Sequence, residues 1–320
     1  MTFQFTEDQL SIREMIRTYS EKEIRLRADE IDKTGRFPKE NMDGLRELGI
    51  LQLTIPEEYG GTGIDDEITK ALAVMEVAKC CACTAEILDV HYLSTDIIMR
   101  KGTFEQKALY LPQAAEGKLG GFALTEPGAG SDAGGLKTKA EKDGDDYILN
   151  GTKCFISNLG PEEGSHFVVV AVTEPGIGTK GTTAFLVDRS MPGVSCGKTE
   201  DKMGIRGAAV SELVLEDVRV PSSAILGKLG EGFKIAMMGL DGGRIGIASQ
   251  ACTTAAAMAK WYASEAACYC CDLALQVHGG YGYMKDYPIE RMYRDARILR
   301  IYEGTSEVQK MVVARAVMKG

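Results

Sequence analysis

Two short runs in this 320-residue chain combine residue types that could do chemistry. Near the C-terminus, Ile301-Tyr302-Glu303-Gly304-Thr305-Ser306 sets one carboxylate between an aromatic ring and a glycine, just before a helical segment. A carboxylate held in a dry pocket has its pKa raised and can act as a general base. The same residue could cap the helix that Thr305 and Ser306 precede. Far upstream, Leu124-Thr125-Glu126-Pro127-Gly128-Ala129-Gly130-Ser131-Asp132 is a glycine-rich loop. No Lys-Ser/Thr follows it, so a mononucleotide phosphate site is not indicated, and its glycines alone read as a tight surface turn. Asp241 and Arg244 lie three residues apart and share one helix face, which suits a ligand contact or a solvated ion pair.

Composition narrows the partners. A formal net charge of −9 argues against nucleic acid, and no long run of like charge appears. No stretch of about eighteen apolar residues exists, so no membrane span is expected. Met1 leads almost at once into a capped helix, which gives the expectation of a cytoplasmic protein, or a mature organellar one whose leader was removed. Nine cysteines include Cys80, Cys81 and Cys83, and Cys268, Cys270 and Cys271. With only three histidines and Ala-rich helical flanks, they read as small buried helix residues in a reduced protein, and no metal site is expected.

The elements that must position these residues fall into three textures, an α+β class overall. A helical domain is assigned to residues 1–117, a β domain to 118–226 and a second helical domain to 227–320. Thr6 with Gln9 forms a capping box, and Ile12, Met15, Ile16 and Tyr19 follow at helical spacing. Gly44, Gly49 and the turn from Tyr59 to Gly63 break the pattern before a long helix from about Asp65 to Lys101. In the β region, Tyr147-Ile148-Leu149 and Cys154-Phe155-Ile156 flank Asn150-Gly151, which predicts a hairpin. Phe155 alone would be a core strand residue. His166 to Val172, Thr183 to Val187 and Leu213 to Val220 read as strands. Helices are expected from Gly232 to Ala257, from Met258 to Val277, and from Ser306 to the end.

This order of domains, with the two runs above, resembles the acyl-CoA dehydrogenase family, whose N-terminal helical domain, middle β-barrel and C-terminal helical bundle share one active site. The resemblance covers nearly the whole chain. It implies FAD as cofactor, an acyl-CoA thioester as substrate and formation of a double bond between its α and β carbons. Phe122 falls in the stretch that borders the flavin. Backbone groups at Leu124 and Thr125 would hydrogen-bond the flavin edge, the Thr125 hydroxyl would reach toward N5, and Ser131 would touch the acyl-CoA. Phe155 and Ser157 match positions that stack on and hydrogen-bond the flavin, where the family more often has Trp and Thr. Asp241 and Arg244 would meet coenzyme A. Gln276, Val277, Gly279 and Gly280 match a segment that contacts FAD from a neighbouring subunit, with His278 as a packed helix-end residue. Glu303 matches the catalytic base, with Gly304 beside the substrate and the Glu303 N–H donating to the thioester carbonyl; Thr305 and Glu307 would lie near the FAD adenosine. Partners implied are an electron-transferring flavoprotein and further copies of the chain in a homo-oligomer.

The chain also departs from that pattern. Roughly sixty residues of the C-terminal bundle are absent, with the join near Cys252-Thr253-Thr254, and with them an Arg-x-x-Phe-Gly stretch that grips FAD across the family's dimer interface. The remaining helices would expose apolar faces. A substrate helix is expected around Glu86 to His91. Ala85 stands where a glutaryl-specific relative would place an arginine, which disfavours a dicarboxylic substrate. Asp89 is either a surface-facing helix carboxylate or a second base beside Glu303, as in relatives that oxidise alicyclic thioesters. The expectation is dehydrogenation of a short, branched or alicyclic acyl-CoA. An acyl-CoA oxidase and a flavin-poor acyl-CoA-binding paralogue are the alternatives.

Overall fold

The computed structural model describes residues 4–64, 66–160, 163–242 and 249–319, with backbone alone for 241, 242, 249–256, 316, 317 and 319. Helix α1 (Glu7–Tyr19) starts at the Thr6–Gln9 capping box, in which each side chain bonds the other's backbone N–H. The Gln9 side chain also donates to Asp66, the N-cap of α4 (Glu67–Ala78), at 2.7 Å, so two helix starts are joined. Glu76 on α4 is 1% exposed and takes Arg13, Lys79 and Arg17 at 2.7, 2.9 and 3.4 Å. Burial pushes its carboxyl up, but these three cations outweigh burial and hold it at about 2.

Helices α2 (Arg25–Thr34) and α3 (Lys39–Glu47) follow. Gly44 does not break the helical pattern; it lies inside α3, and a Cβ there would fall 1.8 Å from the Tyr19 hydroxyl oxygen. The glycine permits a close helix approach instead, whereas Gly49, with φ 77°, does end the segment. The single long helix expected up to Lys101 is two: α4, and α5 (Ala82–Lys101), separated at Lys79–Cys81. Buried Lys70 ties them by bonding Asp96 on α5. Most of α5 is buried; Ile87, Leu88, Ile97 and Ile98 are nearly inaccessible, and each contributes roughly 1.5–3 kcal/mol by burial. Helix α6 (Phe104–Ala115) completes the first domain with a second capping box.

The described residues of the middle domain carry eight strands: β1 (Leu119–Ala123), β2 (Lys139–Asp143), β3 (Asp146–Ser157), β4 (Gly164–Val172), β5 (Thr182–Asp188), β6 (Val194–Thr199), β7 (Val210–Pro221) and β8 (Ile225–Leu226). Where the sequence implied a barrel, the described strands form one sheet in the order β6-β7-β3-β2-β4-β5-β8, with β1 against β4. It folds over, since Leu149, Leu213 and Leu215 from one half share a core with Phe167, Val169 and Phe185 from the other. The opposite faces of β4 and β5 (Val168, Val170, Ala184, Leu186) pack on α5 and α6.

Asn150-Gly151 is not a hairpin. β3 runs through it, and the β2–β3 turn falls at Asp143–Asp146, with Gly144 at φ 63°. The pair instead marks a register shift against β7: Asn150 exchanges hydrogen bonds with Asp217, and a Cβ on Gly151 would meet Thr138 at 2.6 Å.

The second helical domain contains α7 (Gly232–Gly242), α8 (Ser249–Val277), α9 (Pro288–Ala296) and α10 (Ser306–Lys319). The expected boundary at 257/258 lies inside α8. Arg294 docks α9 onto α2 through a forked pair with Asp32, at 2.7 and 3.2 Å, and also bonds Glu290 and the Met203 carbonyl. Among the described residues no helix is long and apolar enough to cross a membrane.

Candidate active site

Helix α5, the end of β3 and the segment before α10 bring three carboxyl groups and a phenol together. Glu303 has φ 51° and Gly304 φ 92°, so the chain turns through two consecutive left-handed residues. For Glu303 this is strained, and its surroundings must hold it. They do so through carbonyls: Gln309 Nε2 donates to those of Glu303 and Gly304, each at 3.1 Å, and Lys260 Nζ donates to that of Gly304 at 2.8 Å. Glu265 on α8 accepts from both Arg300 and Ser306 at 2.9 Å, fixing the ends of the turn. The capping function falls to Thr305, whose hydroxyl accepts from the Val308 N–H at 3.4 Å. Glu303 lies before the helix rather than in its first turn. Exposed Glu307 is in that turn, its carboxyl held down by its own backbone N–H and by the Thr305 hydroxyl.

Across from this turn, α5 presents Glu86 and Asp89, one helical turn apart and both half-buried. Asp89 is not surface-facing. Burial first, and then the charge of Glu303, push its carboxyl well above the usual carboxylate range, with Lys70 opposing. Glu86 is raised by burial, against a 2.7 Å hydrogen bond from the Ser157 hydroxyl and the charge of Lys202. The Tyr302 phenol is raised by burial, Glu303, Asp89 and Glu86. These mutual shifts mark one half-buried acidic centre, where a carboxylate could act as a general base.

The β side supplies the facing surface. Phe155 is 65% exposed, not in the core, and has φ 59° at a register shift between Lys153 and Ile156. The bulge turns an aromatic face out of the sheet, as a stacking platform requires. The next loop is anchored beneath: fully buried Lys153 donates to Glu126 at 2.7 Å and to the Leu124 carbonyl at 3.1 Å, and Glu126 also accepts from the N–H groups of Lys137 and Thr138. The Thr125 carbonyl accepts from Cys154 N–H. With both carbonyls engaged, this loop offers a ligand its donors. Phe122 packs with Leu124 on the helical core, while Ser131 is exposed and Gly128 and Gly130 have open space where a Cβ would be. Asn158, buried at φ 64°, ties this corner to α5 by donating to the carbonyls of Gly120 and Ile87.

Gln276, Val277, Gly279 and Gly280 sit at the exposed end of α8, Val277 being 86% exposed. His278 is exposed, but its ring bonds the Ala274 carbonyl at the helix end and meets the Tyr287 ring edge-on at 6.3 Å. Arg244, the side chain of Asp241 and the side chains of the join at Cys252-Thr253-Thr254 lie outside what is described. Cys80, Cys81 and Cys83 are buried as expected, but Cys270 is exposed and Cys268 and Cys271 are half-buried. They lie on α8, which also exposes Tyr262, Tyr269 and Leu273. No metal-holding cluster occurs among the described residues. A cavity of about 760 Å³ between α2 and α9 is a different place; its wall reaches Lys202 but does not include Glu303.

Family models match in chain order: the acyl-CoA dehydrogenase N-terminal domain over residues 6–118, the middle domain over 121–218 and the C-terminal domain over 248–318. The chain belongs to the acyl-CoA dehydrogenase family. It is 43% identical to an acryloyl-CoA reductase (NADH) of Anaerotignum propionicum, covering 100% of this chain and 96% of that protein. That alignment spans 383 positions against the chain's 320, consistent with a shortened bundle. Among solved structures, butyryl-CoA dehydrogenase from Megasphaera elsdenii superposes with a TM-score of 0.92 at 36% identity, over 99% of this chain and 100% of that one. A chain described with the electron transferring flavoprotein of Acidaminococcus fermentans gives 0.94 at 37%, over 100% of both. Members of the family are FAD-dependent oxidoreductases.

The residues present fit a flavin: an outward-facing Phe155, an uncrowded glycine loop and a set of donors around Thr125. These and Phe122, Leu124 and Ser157 would hold it, with the open turn at Gly279 and Gly280 available to a neighbouring copy. Sequence reasoning named Glu86 only as part of a helix and missed Lys202, Gln309 and the Lys153–Glu126 anchor. Two carboxylates three residues apart, on one face of a largely buried helix, were the available signal for Glu86.

Proposed function

We propose that this chain dehydrogenates a short-chain acyl-CoA, branched or alicyclic thioesters included, with Glu303 removing the α-proton. The observation that carries this reading is the strained, carbonyl-clamped Glu303 turn facing Asp89, Glu86 and Tyr302 in a half-buried centre. An α-proton beside a thioester is weakly acidic, so the base must be poorly hydrated and rigidly placed. The clamp by Gln309 and Lys260 fixes the backbone from which the carboxylate projects. The Glu303 N–H is suited to donate to the thioester carbonyl and stabilise enolate character. Bound FAD supplies the acceptor for the hydride that leaves the β carbon. Ser131, Asp241, Arg244 and Gly304 are assigned to the thioester, and Thr305 and Glu307 to the adenosine end of FAD. Electrons would pass to an electron-transferring flavoprotein, with the chain working as a cytoplasmic homo-oligomer.

The test is the visible spectrum of the FAD-loaded protein during anaerobic addition of acyl-CoAs. Bleaching by a short thioester, abolished in Glu303→Gln, supports the reading; a protein that takes up FAD but never bleaches overturns it. Asp89 favours a second reading, because Glu303 raises it: a second base that would extend turnover to alicyclic thioesters. Unchanged turnover of cyclic and linear substrates in Asp89→Asn would exclude that role.

A further inference from the structure

One buried polar atom at this site has no use in the chemistry above. Glu86 Oε1 accepts the Ser157 hydroxyl at 2.7 Å, while Glu86 Oε2 is buried with no hydrogen-bond partner among the described residues. An orphaned carboxyl oxygen is unfavourable in any state, and the reacting α and β carbons of a thioester offer it nothing. Lys202 makes no hydrogen bond to it; its ammonium donates to the Ala208 carbonyl at 2.6 Å. The group is bonded to Ser157, which the acyl-CoA dehydrogenase reading assigns to the flavin, and interacts electrostatically with Asp89 and Tyr302, which also interact with Glu303. On that reading, a carboxyl beside both Ser157 and the Glu303 centre borders the acyl group rather than the coenzyme A moiety.

Resting on the acyl-CoA dehydrogenase reading, we propose that Glu86 Oε2 is a specificity subsite for an acyl chain bearing a hydroxyl group beyond its reacting carbons. A hydroxyl is both donor and acceptor, so it complements Glu86 whether the carboxyl is ionised or protonated. The elevation of this carboxyl by burial makes that indifference useful. An unsubstituted alkyl chain leaves Oε2 unpaired, and a site that can hydrogen-bond a substrate hydroxyl discriminates against the analogue that lacks one. The effect sought is about tenfold or more in affinity.

The probes are 4-hydroxybutyryl-CoA and butyryl-CoA on the FAD-loaded full chain. Binding is measured by calorimetry in a Glu303→Gln background, where turnover does not intervene, and bleaching is measured with Glu303 present. The hydroxylated thioester should bind about tenfold tighter, Glu86→Gln should keep the preference because its amide still hydrogen-bonds, and Glu86→Val should reverse it toward butyryl-CoA. Equal binding of the two thioesters, no binding of either, or a preference that survives in Glu86→Val overturns the subsite. A preference that follows Glu86 without any bleaching leaves the subsite standing and overturns the dehydrogenase reading. Bleaching by both thioesters without preference does the reverse.

Discussion

Gln309 donates from Nε2 to the main-chain carbonyl of Glu303 at 3.1 Å, and from the same nitrogen to that of Gly304. The amide is fully buried, and it bonds the two residues whose φ angles are left-handed. It therefore holds the proposed base through its backbone carbonyl.

Gln309→Leu should consequently impair chemistry more than binding. Loss of two hydrogen bonds frees a turn that is strained by about 1–3 kcal/mol at Glu303 to relax. The expected result is a fall in kcat of about 10- to 100-fold with KM changed little. Steady-state kinetics on a short acyl-CoA reads this directly, and a KM effect without a kcat effect would contradict the positioning role.

Phe155 makes a complementary case on the flavin side. Its ring is mostly exposed and its backbone strained, so it contributes little to the apo fold. Phe155→Gly removes the ring and relieves the positive φ together. Apo-protein melting temperature should hold or rise, while FAD affinity falls about tenfold with loss of the stacking face. Thermal melts with and without FAD separate the two effects, and a destabilised apo-protein would refute the assignment.

Glu76 is a stability determinant remote from the chemistry. Glu76→Gln leaves Arg13, Arg17 and Lys79 around a neutral amide. Because those cations are themselves partly exposed, the expected loss is roughly 1–3 kcal/mol in urea unfolding. Its folded pKa, about 2, lies below the ordinary 4.5. Its contribution is thus complete above about pH 4.5 and disappears as pH falls toward 2, a dependence that the variant should lack.

The helical ends and the order of domains were legible because they are local. The Thr6–Gln9 capping box and the β4, β5 and β7 apolar runs are written in neighbouring residues and fold as read. Errors arose where tertiary contact decides the outcome. Gly44 looks like a breaker in one dimension but accommodates Tyr19, and Asn150-Gly151 looks like a turn but is a bulge shaped by Thr138 and Asp217. Glu303 stands out in the sequence through its flanking residues. Its clamp was not, because Lys260 and Glu265 reach it from another helix. Cys268, Cys270 and Cys271 are more open than expected because burial on α8 depends on what packs against it, which composition does not record.

His91 and His166 give the last prediction. Both rings are fully buried beside Gly120, and His91 Nε2 and both His166 nitrogens have no hydrogen-bond partner among the described residues. Burial lowers His91 to about 3, with His166 adding to this, and lowers His166 to about 4 against the opposing charge of Asp188. Unfolded, each would titrate near 6.5. The native state therefore binds fewer protons than the unfolded state below about pH 6.5, and stability falls as pH decreases from there toward 4. Each histidine adds up to about 1.4 kcal/mol per pH unit to that slope. His166→Phe keeps a ring next to Tyr110, whose centroid lies 5.2 Å away, and removes two unsatisfied nitrogens. Urea unfolding between pH 7 and 4 should show unchanged or higher stability at pH 7 and an acid slope lower by about 1.4 kcal/mol per pH unit. An unaltered slope would mean that the His166 site admits a proton in the folded state.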